Sequence, residues 1–132
     1  MHPAVVVHGL DDAGAALALG RPLTLLSARG AALYAGCLWW RELVLQARGA
    51  CPSVAVCDLL DCADAPGVAL GAIRAGQRGL VLSPAVPGFA AVAAVVDARG
   101  LTLLPARPPA LDLARPGARR RLLAWLTGDG SA

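Results

Sequence analysis

The sequence predicts an α/β fold, a three-layer arrangement with a five-stranded, mostly parallel sheet and helices on both faces. Two observations carry this. Short apolar runs of strand length alternate with stretches whose apolar residues recur at helical spacing. The joints between them are short and rich in Gly and Pro, which suits the right-handed crossovers of a parallel sheet. A chain of 132 residues has the size of one domain, so residues 1–132 are read as a single α/β unit.

The elements follow in order. Pro3 to His8 is the first strand, closed by Gly9. Asp11 or Asp12 then caps an Ala-rich helix that runs to about Gly20. Pro22 to Ser27 is the second strand, and Ala28-Arg29-Gly30 is its turn. The longest helix is expected from Ala31 to Arg48, with Leu33, Cys37, Trp40, Val44 and Ala47 on one stripe and Gly49 at its end. Ser53 to Leu60 is the third strand, and its near-continuous apolar start fits a strand covered on both faces. Pro66 suits the first turn of a helix reaching Gly76, because proline there gives up no hydrogen bond. Gly79 to Ser83 is strand four, and Pro87-Gly88 introduces a helix through Phe89, Val92, Val95 and Val96. Leu101 to Leu104 is strand five. A proline-rich turn, Pro105 to Pro109, precedes a last helix from Pro116 to Leu126.

Composition narrows the chemistry. Apolar residues make up 57% of the chain, and the mean hydropathy is +0.60. Pro84 and Pro87 nevertheless interrupt the longest uncharged run, so no span of ~20 apolar residues forms. With no signal-peptide pattern at the start, the expected compartment is the cytoplasm. All twelve basic residues are Arg, and the chain has neither Lys nor Asn, as GC-rich coding tends to produce. A Schiff-base lysine and a phosphate-loop lysine are therefore excluded. The net charge is +3, and the one dense cluster, Arg119-Arg120-Arg121 with Arg115 before it, reads as a solvated helix face. Nucleic-acid binding is not expected, since it needs a wider basic stripe with aromatics between the charges. The cysteines at 37, 51, 57 and 62 form no C-x-x-C pair and are read as small buried apolar residues, without structural zinc.

In a parallel sheet of this kind, ligands bind beyond the carboxyl ends of the strands. His8, Ser27, Asp58, Asp61, Ser83 and Arg107 are the ligand-binding candidates on that edge. If strands one and three were neighbours, Asp11 and Asp12 would approach Asp58 and could form a magnesium site, because magnesium takes carboxylate oxygens with water and phosphate. Each acid also has a plainer reading, Asp11 or Asp12 as a helix cap, Asp64 within a residue of the next cap, and Asp61 as a solvated loop residue.

The element order resembles the receiver domain of two-component response regulators, from Val5 to about Trp125. Asp58 and the following Leu-Leu-Asp-Cys-Ala-Asp-Ala-Pro-Gly resemble the phosphoacceptor region and the loop after it. Ser83 stands where that family carries a hydroxyl, and Arg107-Pro108 stands where it carries Lys-Pro. The resemblance implies a flavodoxin-like strand order and magnesium held by Asp11, Asp12 and Asp58. The departures are a His8-Gly9 end to strand one and the missing lysine, so it implies a degenerate, non-catalytic interaction or signalling module. The alternative is a small-molecule or phosphate-binding protein, or an enzyme, with its site at the strand ends.

Trp39 and Trp40 lie ~100° apart on a helix and cannot share one core stripe. Trp40 belongs to the stripe, which leaves Trp39 with Leu38 and Leu45 as an expected interface for a homodimer or another protein. Coverage of Trp39 by the last helix and Trp125 is the competing expectation.

Overall fold

The structure, a computed structural model, describes residues 1–128. Its centre is one parallel sheet of β1 (Ala4–Val6), β2 (Leu23–Leu26), β3 (Val56–Asp61), β4 (Gly79–Val81), β5 (Thr102–Leu104) and β6 (Ala110–Asp112). The helices are α1 (Leu10–Leu17), α2 (Ala31–Tyr34), α3 (Cys37–Ala50), α4 (Pro66–Arg74), α5 (Phe89–Arg99) and α6 (Leu122–Thr127). A 3-10 turn, Ala118–Arg121, leads into α6. The α/β class and the parallel pairing are as the sequence predicts, with six strands where five were expected. The additional strand, β6, pairs with β1 directly after Pro108-Pro109. Prolines immediately ahead of a strand cost it no ladder hydrogen bond, yet they made this segment read as a turn.

Two boundaries move, with consequences for the site. β3 starts at Val56 and ends at Asp61, three residues later than expected at the start and one at the end. The expected helix from Ala31 to Arg48 is broken at Gly36, whose φ of 89° and ψ of 156° fit no helix. Leu33 therefore lies on α2 and is 51% exposed, while Trp40, Val44 and Ala47 form the buried stripe of α3.

The strand order is β5-β4-β3-β2-β1-β6. This departs from the flavodoxin-like order, since β2 separates β1 from β3. From β1 to β5 every connection steps one place in the same direction, and right-handed crossovers then set all the connecting helices on one face. The packing agrees. Leu17, Trp40, Ile73, Val92 and Leu122, each from a different helix, share one cluster with Val5, Leu25, Leu60, Leu80 and Leu111 of the sheet. On the opposite face Val6, Leu26, Leu59 and Val81 pack with Leu104 and Ala110, and no described helical residue joins them. The expectation of helices on both faces is corrected in this respect.

The layer beyond that second face is a segment without helix. Residues 105–109 leave β5 at one edge and enter β6 at the other, and because the step runs backwards a right-handed path crosses the face opposite the helices. Five steps of ~4.8 Å would set the edges of a flat sheet ~24 Å apart. The chain from Leu104 to Ala110 reaches at most ~21 Å. The edges are therefore drawn together, and the face without helices is concave. This explains how Thr24 and Leu26 reach 0% exposure with no helix above them. Helices outside and a concave parallel sheet inside resemble the wall of a β/α barrel, with no pairing between β5 and β6.

Candidate functional site

The β3 boundary decides which acid reaches the carboxyl edge. Asp61, the last residue of β3, is 4% exposed, and Ser27, just after β2, is fully buried. The Asp61 backbone N–H donates to Ser27 Oγ at 2.9 Å. The Asp61 carboxylate accepts the Ala63 N–H at 2.8 Å through Oδ1 and Arg107 Nη1 at 2.7 Å through Oδ2. The same Arg107 nitrogen donates to the Ser27 carbonyl at 3.0 Å. A half-buried guanidinium and a buried carboxylate thus pin the crossing segment onto the ends of β2 and β3, and each offsets the other's charge. Ala63 has a φ of 51°, rare for a residue with a side chain, and its carbonyl accepts the Ser83 N–H at 2.8 Å.

A second group forms where β1 and β6 end. His8 Nε2 lies 2.7 Å from Asp112 Oδ1, and this oxygen also accepts the Ala114 N–H at 2.9 Å. Burial alone would raise the Asp112 pKa. The hydrogen bonds from His8 and Ala114, with the charges of His8 and Arg115, outweigh it and hold the carboxyl below its ordinary range. Asp12 accepts the His8 N–H at 2.9 Å and Arg119 Nη2 at 2.9 Å, which ties the start of α1 to the approach to α6.

Between the two groups, on the concave face, lies a cavity of about 730 Å³ lined in part by His8, Arg29, Arg107, Pro108, Asp112 and Arg115. Three guanidiniums face one carboxylate. Arg29 and the side chain of Arg115 have no hydrogen-bond or ion-pair partner among the described residues, and Arg107 spends one nitrogen on the protein and keeps its other N–H groups. Unpaired guanidiniums in a cleft are matched by phosphate or carboxylate oxygens, which they bind through two parallel hydrogen bonds.

The candidates from the sequence divide accordingly. His8 and Arg107 line this cavity, and Ser27 and Asp61 support it from behind. Ser83 is turned to its own loop, where its Oγ accepts the Ala85 N–H at 3.3 Å. Asp58 does not belong to this edge. It occupies the middle of β3 on the helix side, where its carboxylate accepts Trp40 Nε1 at 3.0 Å, Gln77 Nε2 at 2.7 Å and Arg48 Nη2 at 3.2 Å. Asp11 is exposed and Asp12 is held by His8 and Arg119. With β2 between β1 and β3, Asp11, Asp12 and Asp58 do not converge, and no group of three metal-ligating side chains exists among the described residues. The magnesium site that the resemblance implies therefore does not fit these residues.

The sequence missed Asp112 and Arg115 because the strand that carries Asp112 went unrecognised, and Arg29 was placed in the turn after strand two without a binding role. The available signal was Ala110-Leu-Asp-Leu, an alternating run after the prolines. Among the cysteines, Cys62 is buried as expected, and burial first, then the charges of Asp61 and Cys37, push its thiol up to about 12. Cys57 is exposed, against expectation.

Leu38 and Leu45 are 72% and 66% exposed, and Trp39 is 37% exposed with its ring centroid 6.0 Å from that of Trp40. Trp125 does not reach them, since its Nε1 donates to the Ala4 carbonyl at 2.8 Å on β1. Among the described residues, no helix is long and apolar enough to cross a membrane. No protein-family model matches the chain, and no match to it is found among curated proteins.

Proposed function

We propose that the protein binds a small phosphate-bearing molecule in the cavity at the carboxyl ends of β1, β2 and β6. The observation that carries this reading is the set of three guanidiniums, Arg29, Arg107 and Arg115, around one cavity whose only facing carboxylate among the described residues, Asp112, is already engaged by His8. The proposal is for recognition by fixed charge. Asp61 and Ser27 hold Arg107 in place before a ligand arrives, so little ordering entropy is lost on binding. Arg29 and Arg115 are exposed and can be changed without opening the core. Calorimetric titration with inorganic pyrophosphate at fixed ionic strength should show saturable binding. In the Arg29→Gln/Arg115→Gln variant it should weaken by ~10-fold or more for each charge-assisted hydrogen bond removed. Equal binding by that variant, or none by the wild type, would sink the proposal.

A separate observation favours a second role, the interaction module that the receiver resemblance implies. Tyr34, Leu38 and Leu45 are 70%, 72% and 66% exposed, with Leu33 and Trp39 beside them on α2 and α3. Such a patch suits self-association or a protein partner. Light scattering that gives the mass of one chain at high concentration would remove self-association.

A further inference from the structure

A second cavity, of about 610 Å³, lies towards the amino-terminal ends of β3, β4 and β5, away from the three guanidiniums of the first. Its walls combine Leu59 and Leu104 from the face without helices, with Thr24 and Cys57, and Val56 and Leu101, which also pack against the helix-side core. Gly79 contributes to the floor, and a side chain there would collide with the Asp58 carbonyl, so the close strand packing beneath the cavity requires glycine.

Two cations, Arg48 and Arg78, lie among the lining residues. Arg48 is paired with Asp58 at 3.2 Å. Arg78 is exposed, and its guanidinium has no partner among the described residues. The one lining carboxylate, Asp58, already accepts from Trp40, Gln77 and Arg48. The cavity therefore offers apolar walls and one uncommitted positive charge, within the size range of pockets that hold small molecules.

We infer that this cavity is a binding site for a small apolar carboxylic acid, an aromatic or medium-chain acid whose carboxylate pairs with Arg78 while its hydrocarbon lies on Leu59, Leu101 and Leu104. The hydrocarbon leaves water for an apolar wall, and Arg78 selects the charged head. The inference is independent of phosphate binding in the first cavity, and the two sites are tested with different probes.

Cys57 supplies the readout, since it lines this cavity and is the exposed cysteine of the four. The experiment is alkylation with iodoacetamide, followed by peptide mass spectrometry at each cysteine, with 2-naphthoate as the probe and 2-naphthamide as its neutral counterpart. Naphthoate should slow Cys57 labelling saturably and leave Cys37 and Cys51 unchanged. Naphthamide should protect at least ~10-fold less well, and Arg78→Gln should raise the naphthoate concentration for half-protection by a similar factor. Equal protection by acid and amide, no protection by either, or an Arg78→Gln protein that responds as the wild type does would each overturn the assignment. The amide comparison uses the wild-type protein, so it decides the question even if the variant folds poorly.

Discussion

Asp58 and Asp61 lie three residues apart on the same strand and serve opposite sides of the molecule. Asp58 points to the helices, where Trp40, Gln77 and Arg48 use its two oxygens to fix α3 and the approach to β4 against the sheet. Asp61 points to the concave face and fixes the crossing segment through Arg107. An odd separation along a strand changes the face, because side chains alternate. The first acid holds the α/β framework together. The second holds the layer that shapes a cavity, and it does so with a partner that is itself only 15% exposed. Equivalent chemistry, a carboxylate receiving nitrogen donors, is structural in one case and organises a candidate site in the other.

The sharpest way to break this comparison is to neutralise each acid in turn and follow urea unfolding. Asp61→Asn leaves the half-buried Arg107 without its counter-charge, a loss at or below the ~3–5 kcal/mol of a fully buried pair because Arg107 opens onto the cavity. Asp58→Asn keeps an acceptor for Trp40 or Gln77 but sets its own N–H groups among donors, a loss of ~1–3 kcal/mol. Trp40 fluorescence should respond to the second change and not to the first, since Asp58 alone of the two touches the indole. Stabilisation by Asp58→Asn would mean that this acid sits in uncompensated carboxylate repulsion, and the division of roles would fail.

The same two residues show what could be read without coordinates. Alternation of apolar runs with helical stripes was enough for the α/β class, because each strand must present one face to the helices and announces it in every second residue. Ser27, Asp61 and Arg107 were legible as an edge group by that logic, since residues after strand ends gather there. Strand order was not legible. It depends on whether each crossover steps forward or back, and nothing local in the chain records that choice. Asp58 was placed at the edge because Val54 and Ala55 look like strand residues, whereas Val54 is in the turn after α3, its N–H bonded to the Cys51 carbonyl. β6 was hidden for a related reason. Pro108 and Pro109 argue for a turn, and only the partner strand β1 shows that Ala110–Asp112 extends the sheet.

A smaller effect tests the outer end of the concave face, where His8 and Asp112 join β1 to β6. The Asp112 pKa is lower in the folded chain than its ordinary value of 3.8. The ionised form is therefore favoured by the fold, and its contribution is complete above the ordinary carboxylate range. It is lost as pH falls below 3.8 through the lower, folded value. Both side chains are more than a third exposed or close to it, at 37% and 35%, so solvent screens the pair and its worth is ~0–1 kcal/mol. Wild type should exceed Asp112→Asn in stability by that margin at pH 7, and the margin should shrink as pH falls below 3.8 and at high salt. The comparison between the proteins cancels the other carboxylates that titrate over the same range. A margin that persists unchanged however far the pH is lowered below 3.8 would assign the role of Asp112 to its backbone contact with Ala114, and the His8 link would then contribute geometry to the cavity without stabilising the strand pair.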